Sequence, residues 1–289
     1  MTGSQNWNVL DRLGIPGFGT DLIRIDFPPP IRPSPLWGHG KAVHPELAAI
    51  LEESRALQEQ WLQRCLEKAS ECQIWPENED AKDATLPWKQ NMFLTMLDMV
   101  ALYGVIAEAK PGLYLEIGSG ISTRVAWQAR RGSGHEMKIF SIDPNPRVEV
   151  EQLCDRVLRK RLEEIPPSDL VEMSGTETVV FFDGSHRCFP KSDVTVFFLE
   201  ILPRLKPGTL VHIHDIYLPF DYSPKALERY WSEQYVLASY LLGGAKNIKI
   251  LLPLYYLTLQ EKMEREVRKQ FRTDSPSTSF WFQIECLDR

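Results

Sequence analysis

Leu113-Tyr-Leu-Glu-Ile-Gly-Ser-Gly-Ile-Ser-Thr-Arg-Val-Ala-Trp127 is the stretch whose reading decides the fold. Leu113, Leu115 and Ile117 are apolar and flank Tyr114, which suits a buried strand. Gly118 and Gly120 then break the strand in a tight turn. Ser119, Ser122 and Thr123 supply capping hydroxyls for a helix continuing through Val125, Ala126 and Trp127. Strand, glycine turn and helix together present backbone N–H groups to a nucleotide-like ligand in a doubly wound α/β sheet.

Two residues narrow that ligand. The dinucleotide fingerprint requires a third glycine, and Thr123 stands there. Glu116, two residues before the first glycine, puts a carboxylate at the strand's carboxyl end. It would repel a pyrophosphate but suit the ammonium and sulfonium end of S-adenosylmethionine. The expected cofactor-binding set is Glu116, Gly118, Ser119, Gly120, Ser122 and Thr123. Asp143 joins them as the acid that ends the next strand, about twenty residues on, where ribose hydroxyls are held.

Downstream, the pattern alternates. Strands are predicted at 138–143, 157–162, 178–183, 209–215, 248–259 and 279–285. Helices are predicted at 147–154, 193–205, 225–242 and 260–271. The run over 178–183 is nearly all apolar, as a buried parallel strand should be. Upstream, a helix is expected over 88–108, stopped by Lys110-Pro-Gly112. Before it, a single amphipathic helix is expected over 45–72, roughly 40 Å long. Its one apolar face needs a partner: the domain itself, a second copy in a homodimer, or the site, as a lid. Residues 1–44 read as irregular, proline-rich chain. The expected organisation is an N-terminal arm and helix over 1–86 and an α/β domain over 87–289.

Composition excludes several function classes. The chain has 289 residues, 43% hydrophobic and 25% charged, with a net charge of −6. No extended basic patch favours nucleic acid. The longest apolar run is too short for a membrane span. No signal peptide is visible, and five cysteines without a Cys-x-x-Cys pair fit reduced thiols. A cytoplasmic protein acting on a small molecule is the expectation.

Glu116-Ile-Gly-Ser-Gly120, Ile142-Asp-Pro144, Phe182-Asp-Gly-Ser-His186 and Leu205-Lys-Pro-Gly-Thr-Leu-Val-His-Ile-His-Asp-Ile216 together resemble class I S-adenosylmethionine-dependent methyltransferases. The chain is more narrowly similar to a bacterial branch with an Asp-Gly-Ser/Asp-His loop and a His-Asp strand end. The resemblance implies a Rossmann-like seven-stranded sheet of order 3-2-1-4-5-7-6 with the last strand antiparallel, and a cosubstrate lying over strands one to four. In catechol-type O-methyltransferases, acids at the ends of strands four and five bind a divalent cation, and Asp183 and Asp215 stand at those places. Ile216 replaces the amide expected after them.

The candidate catalytic residues are therefore His214, His186, Asp183 and Asp215. Asp183 also belongs to the cofactor set, and Asp183, Asp215 and His214 are the expected ligands of Mg²⁺ or Mn²⁺. His212 and His214 share one strand face about 6.6 Å apart, and His212, the deeper, reads as a core residue. The leading expectation is O-methylation of a small-molecule hydroxyl. A nicotinamide-dinucleotide oxidoreductase and a non-catalytic assembly module using the same fold remain as alternatives.

Overall fold

In the computed structural model, residues 33–80, 82–146, 149–245, 247–259 and 276–286 are described. Strand β1 (Leu113–Ile117) lies inside the sheet, paired in parallel with β2 (Lys138–Ile142) on one side and β4 (Thr178–Phe182) on the other. β3 (Arg156–Leu158) and β5 (Leu210–Ile213) extend the parallel part, and β7 (Phe280–Ile284) inserts antiparallel between β5 and β6 (Ile248–Pro253). The order is β3-β2-β1-β4-β5-β7-β6, as the resemblance implies. Every residue of β4 is buried, which explains its lack of polar alternation. The carboxyl ends of β1, β2, β4 and β5 all open to the same edge, so Glu116, Asp143, Asp183 and Asp215 are delivered there by topology alone.

The expected helix over 45–72 is three helices: α1 (Pro45–Glu52), α2 (Arg55–Glu67) and α3 (Ala69–Cys72). The first break is filled by side chains. Gln58 donates to the Leu51 carbonyl at 2.7 Å and to Ser54 Oγ at 2.9 Å, and Ser54 donates to the Ile250 carbonyl at 3.3 Å. The apolar face lies on the domain: Leu47, Leu62, Cys65 and Ala69 join the same buried cluster as the sheet. α2 packs closely on α4 (Met96–Ala109), where a Cβ on Gly104 would meet the Cys65 Cα at 2.7 Å. Part of the expected arm therefore shares its core with the α/β domain. Residues 1–32 and the helix expected over 260–271 lie outside the described residues.

Three further expectations are corrected. The strand expected to run to 259 ends at Pro253, which has no N–H for the ladder, and α10 (Leu254–Thr258) follows. The helix expected over 225–242 is two, α8 (Pro224–Glu228) and α9 (Glu233–Leu242). Their break frees the first N–H groups of α9 to meet the His186 carbonyl, with Ser232 N–H at 2.7 Å. Around 147–154, the described residues form a turn rather than a helix. The remaining helices are α5 (Ile121–Ser133), α6 (Pro167–Met173) and α7 (Asp193–Val196).

Candidate active site

The glycine turn between β1 and α5 forms one side of the site. Gly118 adopts φ +82°, and a Cβ there would fall 1.9 Å from the Asp183 carbonyl oxygen, so the turn is pressed against the end of β4 and tolerates no side chain. Beneath it lies Glu116, fully buried. Tyr114 donates to one of its oxygens at 3.0 Å and Thr123 to the other at 2.5 Å. Thr123 Oγ1 in turn accepts from the Gly120 N–H at 3.1 Å. Burial raises the Glu116 carboxyl to about 7, against the opposing hydroxyl donors. The carboxylate expected to face a ligand instead holds the turn from below, with both oxygens already taken by hydroxyls.

At the end of β2, Asp143 accepts from the Ser119 backbone N–H at 2.8 Å, from the Ser119 hydroxyl at 3.1 Å and from the Asn145 N–H at 2.7 Å. Both Ser119 donors go to Oδ2, so Oδ1, which holds the Asn145 N–H alone, keeps room for a further donor. Beside the glycine turn lies a cleft lined by Gly118, Ser119, Gly120, Ile121, Ser122, Asp183 and the apolar pair Phe93 and Leu94. Sequence reasoning did not single out Phe93 and Leu94, which lie in the loop before α4.

Asp183 has a second set of neighbours. The loop after β4 is pinned by Asp193, which accepts from the Ser185 N–H at 2.6 Å and the Ser185 hydroxyl at 2.5 Å. His186 then sits in the left-handed region at φ +63°. Its Nε2 lies 3.5 Å from Asp183 Oδ1 and 3.6 Å from Asp215 Oδ2, while its Nδ1 meets Glu233 Oε1 at 2.5 Å. Trp231 packs on the ring, with centroids 4.3 Å apart. Burial opposes protonation of His186, but Glu233, Asp183 and Asp215 outweigh it and raise the imidazole to about 9. Asp183, His186 and Asp215 each bring one ligand atom within 4.8 Å of the others.

The structure thus revises the expected cation set. His214 is 3% exposed and lies behind Asp215 rather than beside Asp183. Its Nδ1 is 3.6 Å from Asp215 Oδ2 and its Nε2 is 3.8 Å from Asp98 Oδ2. Burial works against its charge, yet the flanking carboxylates hold its pKa well above the ordinary value. Asp98, 2% exposed, accepts from the N–H groups of Thr278 at 3.2 Å and Ser279 at 3.1 Å, and from the Thr95 N–H and hydroxyl that cap α4. Asp215 is held at about 2, burial notwithstanding, by His214, His186 and the Thr278 hydroxyl. His212 is a core residue, as expected: it is stacked on Phe181 at 3.9 Å, bonded to Ser279 Oγ at 3.0 Å and kept neutral by burial.

Residues 115–216 match the family model described as a methyltransferase domain. Over this segment, about a third of the chain, the sequence is similar to a methyltransferase domain. Every motif that carried the resemblance lies inside the matched segment. Asp98 and Glu233 lie outside it. No curated protein matches the sequence. Among solved structures, the domain is similar to the SAH-bound methyltransferase PaMTH1 of Podospora anserina, at 13% identity, covering 77% of this chain and 88% of that one, with a TM-score of 0.42. It is also similar to the plantazolicin methyltransferase BamL in complex with a triazolic desmethylPZN analogue and SAH, at 13% identity, 83% and 99% coverage and a TM-score of 0.39. The branched-chain polyamine synthase of Thermus thermophilus matches at 13% identity, 78% and 63% coverage and a TM-score of 0.39. Among the described residues no helix is long and apolar enough to cross a membrane.

Proposed function

We propose that the protein transfers the methyl group of S-adenosylmethionine to a hydroxyl of a small molecule, assisted by a divalent cation at Asp183, His186 and Asp215. The observation that carries this reading is the double position of Asp183. It lines the cleft formed by the glycine turn, and its Oδ1 faces the imidazole it shares with Asp215.

Both groups are compatible with the residues present. The cleft offers the backbone of Gly118–Ser122, an apolar wall from Phe93 and Leu94, and, at the neighbouring strand end, Asp143 Oδ1 with acceptor capacity left for a ribose hydroxyl. Two carboxylates and one imidazole suit Mn²⁺ or Fe²⁺, and Mg²⁺ less well. A cation bound there would supply Lewis-acid stabilisation of negative charge developing on the acceptor oxygen. The sulfonium needs no help in leaving. The chain's own tasks are to place that oxygen in line with the methyl group and to keep the charged side chains fixed.

A second reading is favoured by the three carboxylates around His186. Without a cation, Nε2 itself takes the hydroxyl proton as a general base, and the imidazolium is stabilised by Asp183, Asp215 and Glu233. Because the ring is raised to about 9, this version predicts turnover that climbs with pH towards that value. The two readings are alternatives at one nitrogen atom. Titrating the protein with Mn²⁺, followed by the electron paramagnetic signal of the free ion, separates them. Saturable binding lost in Asp183→Ala supports the cation. No binding, together with turnover of a hydroxyl acceptor in excess chelator, establishes the base.

A further inference from the structure

Glu233 is the first residue of α9, fully buried, and it is not among the residues that line the cleft. Its Oε1 receives His186 Nδ1 at 2.5 Å, whereas its Oε2 is buried without a hydrogen-bond partner among the described residues. A buried carboxylate left half-satisfied is unfavourable unless something is gained from its charge. Three other contacts from the same short segment converge on the same loop. The Ser232 N–H donates to the His186 carbonyl at 2.7 Å, Ser232 Oγ accepts from the Cys188 N–H at 2.8 Å, and Trp231 packs on the imidazole. The break between α8 and α9 is what makes these contacts available, since a continuous helix would have used the N–H groups internally.

We infer that Glu233 is a positioning residue: by binding the Nδ1–H of His186 it aims Nε2 at Asp183 and Asp215 and leaves that atom as the one that meets a cation or an acceptor proton. The geometry is that of a carboxylate–histidine pair, in which the outer carboxylate selects the ring's proton position and orientation. The left-handed backbone at His186 makes this support necessary, because a non-glycine residue in that region persists only where its surroundings over-determine it. Asp98 stands on the far side in a comparable place, buried at a helix start and facing Asp215 through His214. The inference rests on the proposed function for what Nε2 does, but not for how it is held.

The test uses the full chain with ¹⁵N-labelled histidine, as wild type, Glu233→Ala and Glu233→Gln. A hydrogen bond this short gives a strongly downfield proton resonance coupled to a ring nitrogen. His186→Asn, in which the resonance is absent, assigns it. We expect the resonance in wild type, its absence in Glu233→Ala, and its persistence with a smaller shift in Glu233→Gln, which keeps an acceptor oxygen but not the charge. Mn²⁺ affinity should fall by about 10–100-fold in Glu233→Ala, the usual range for removing an outer carboxylate, and recover in part with Gln. Binding of S-adenosylhomocysteine should be unchanged throughout. A Glu233→Ala protein that keeps the resonance, or that binds Mn²⁺ as wild type does, overturns the assignment. If wild type binds no Mn²⁺, the cation reading falls and the resonance alone decides the positioning role. Failure to bind S-adenosylhomocysteine in wild type counts against the proposed function only.

Discussion

Glu116 and Asp215 stand at the carboxyl ends of two strands of one sheet, the first fully buried and the second partly so, and they are tuned in opposite directions. Glu116 meets only hydroxyls, so burial dominates and its carboxyl is raised to about 7. Asp215 meets two imidazoles and a hydroxyl, and is held at about 2 although burial pushes the other way. Burial by itself disfavours charge, and only opposite charge close by keeps a carboxylate ionised. The β1 side of the site thus holds its acid with hydroxyls alone and no opposite charge, beneath a tightly packed turn. The β4–β5 side is a charged cluster, and that is where the proposed chemistry would be carried out.

The sharpest way to break this contrast is to remove an acid from the charged side. Asp183→Ala or Asp215→Ala should weaken Mn²⁺ binding by more than the roughly 100-fold that marks the loss of an outer partner, and abolish methyl transfer. S-adenosylhomocysteine should still bind to Asp215→Ala, as calorimetry would show. If Mn²⁺ binds Asp215→Ala normally, the cluster is not a cation site.

Next in size is Gly118→Ala, which tests the packing of the turn. The added methyl meets the Asp183 carbonyl and the φ is left-handed, so stability should fall on the order of 3 kcal/mol in urea unfolding. The cleft should lose its ligand as well. A variant as stable as wild type would show that the turn can move away from β4.

Asp143→Ala comes third. Losing hydrogen bonds to a charged acceptor should reduce S-adenosylhomocysteine affinity on the order of a hundredfold, by about 3 kcal/mol, in the same calorimetric assay. An unchanged affinity would remove Asp143 from the ribose-binding role.

The smallest effect on binding, and the most direct probe of the β1 side, is Glu116→Gln. The Glu116 pKa is higher folded (about 7) than its ordinary value of 4.5, so the folded protein binds the extra proton between those values. The associated stability is fully present below about 4.5 and is lost as pH rises through about 7, a change of about 3 kcal/mol. Glu116→Gln should match wild type at pH 4.5, exceed it in stability at pH 8, and alter cofactor affinity by less than about tenfold. A large loss of affinity would restore the direct ligand contact that the sequence suggested and the geometry argues against.

The four acids at the sheet edge were legible in the sequence because they follow from local pattern: apolar runs, glycine turns and strand-terminal carboxylates; the strand order came only with the resemblance that those motifs carry. The exchange of His214 for His186 was not. Alternation along a strand says that His212 and His214 share a face, but not that the capped start of α4 covers that face with Asp98. Glu233 was hidden for a related reason, since an acid at a helix start reads as an ordinary partner of the helix dipole. The amphipathic pattern of 45–72 showed which face is buried but not the breaks, because Gln58 and Ser54 satisfy the interrupted backbone through side chains. Position in the chain revealed what each residue offers, and only packing revealed what it meets.

The measurement that bears most directly on the account is isothermal titration of the wild-type protein with S-adenosylmethionine, S-adenosylhomocysteine and NADH in separate experiments. Micromolar binding of the first two, about −8 kcal/mol, with no heat from NADH, is the predicted result. Binding of NADH, or of none of the three, would contradict it.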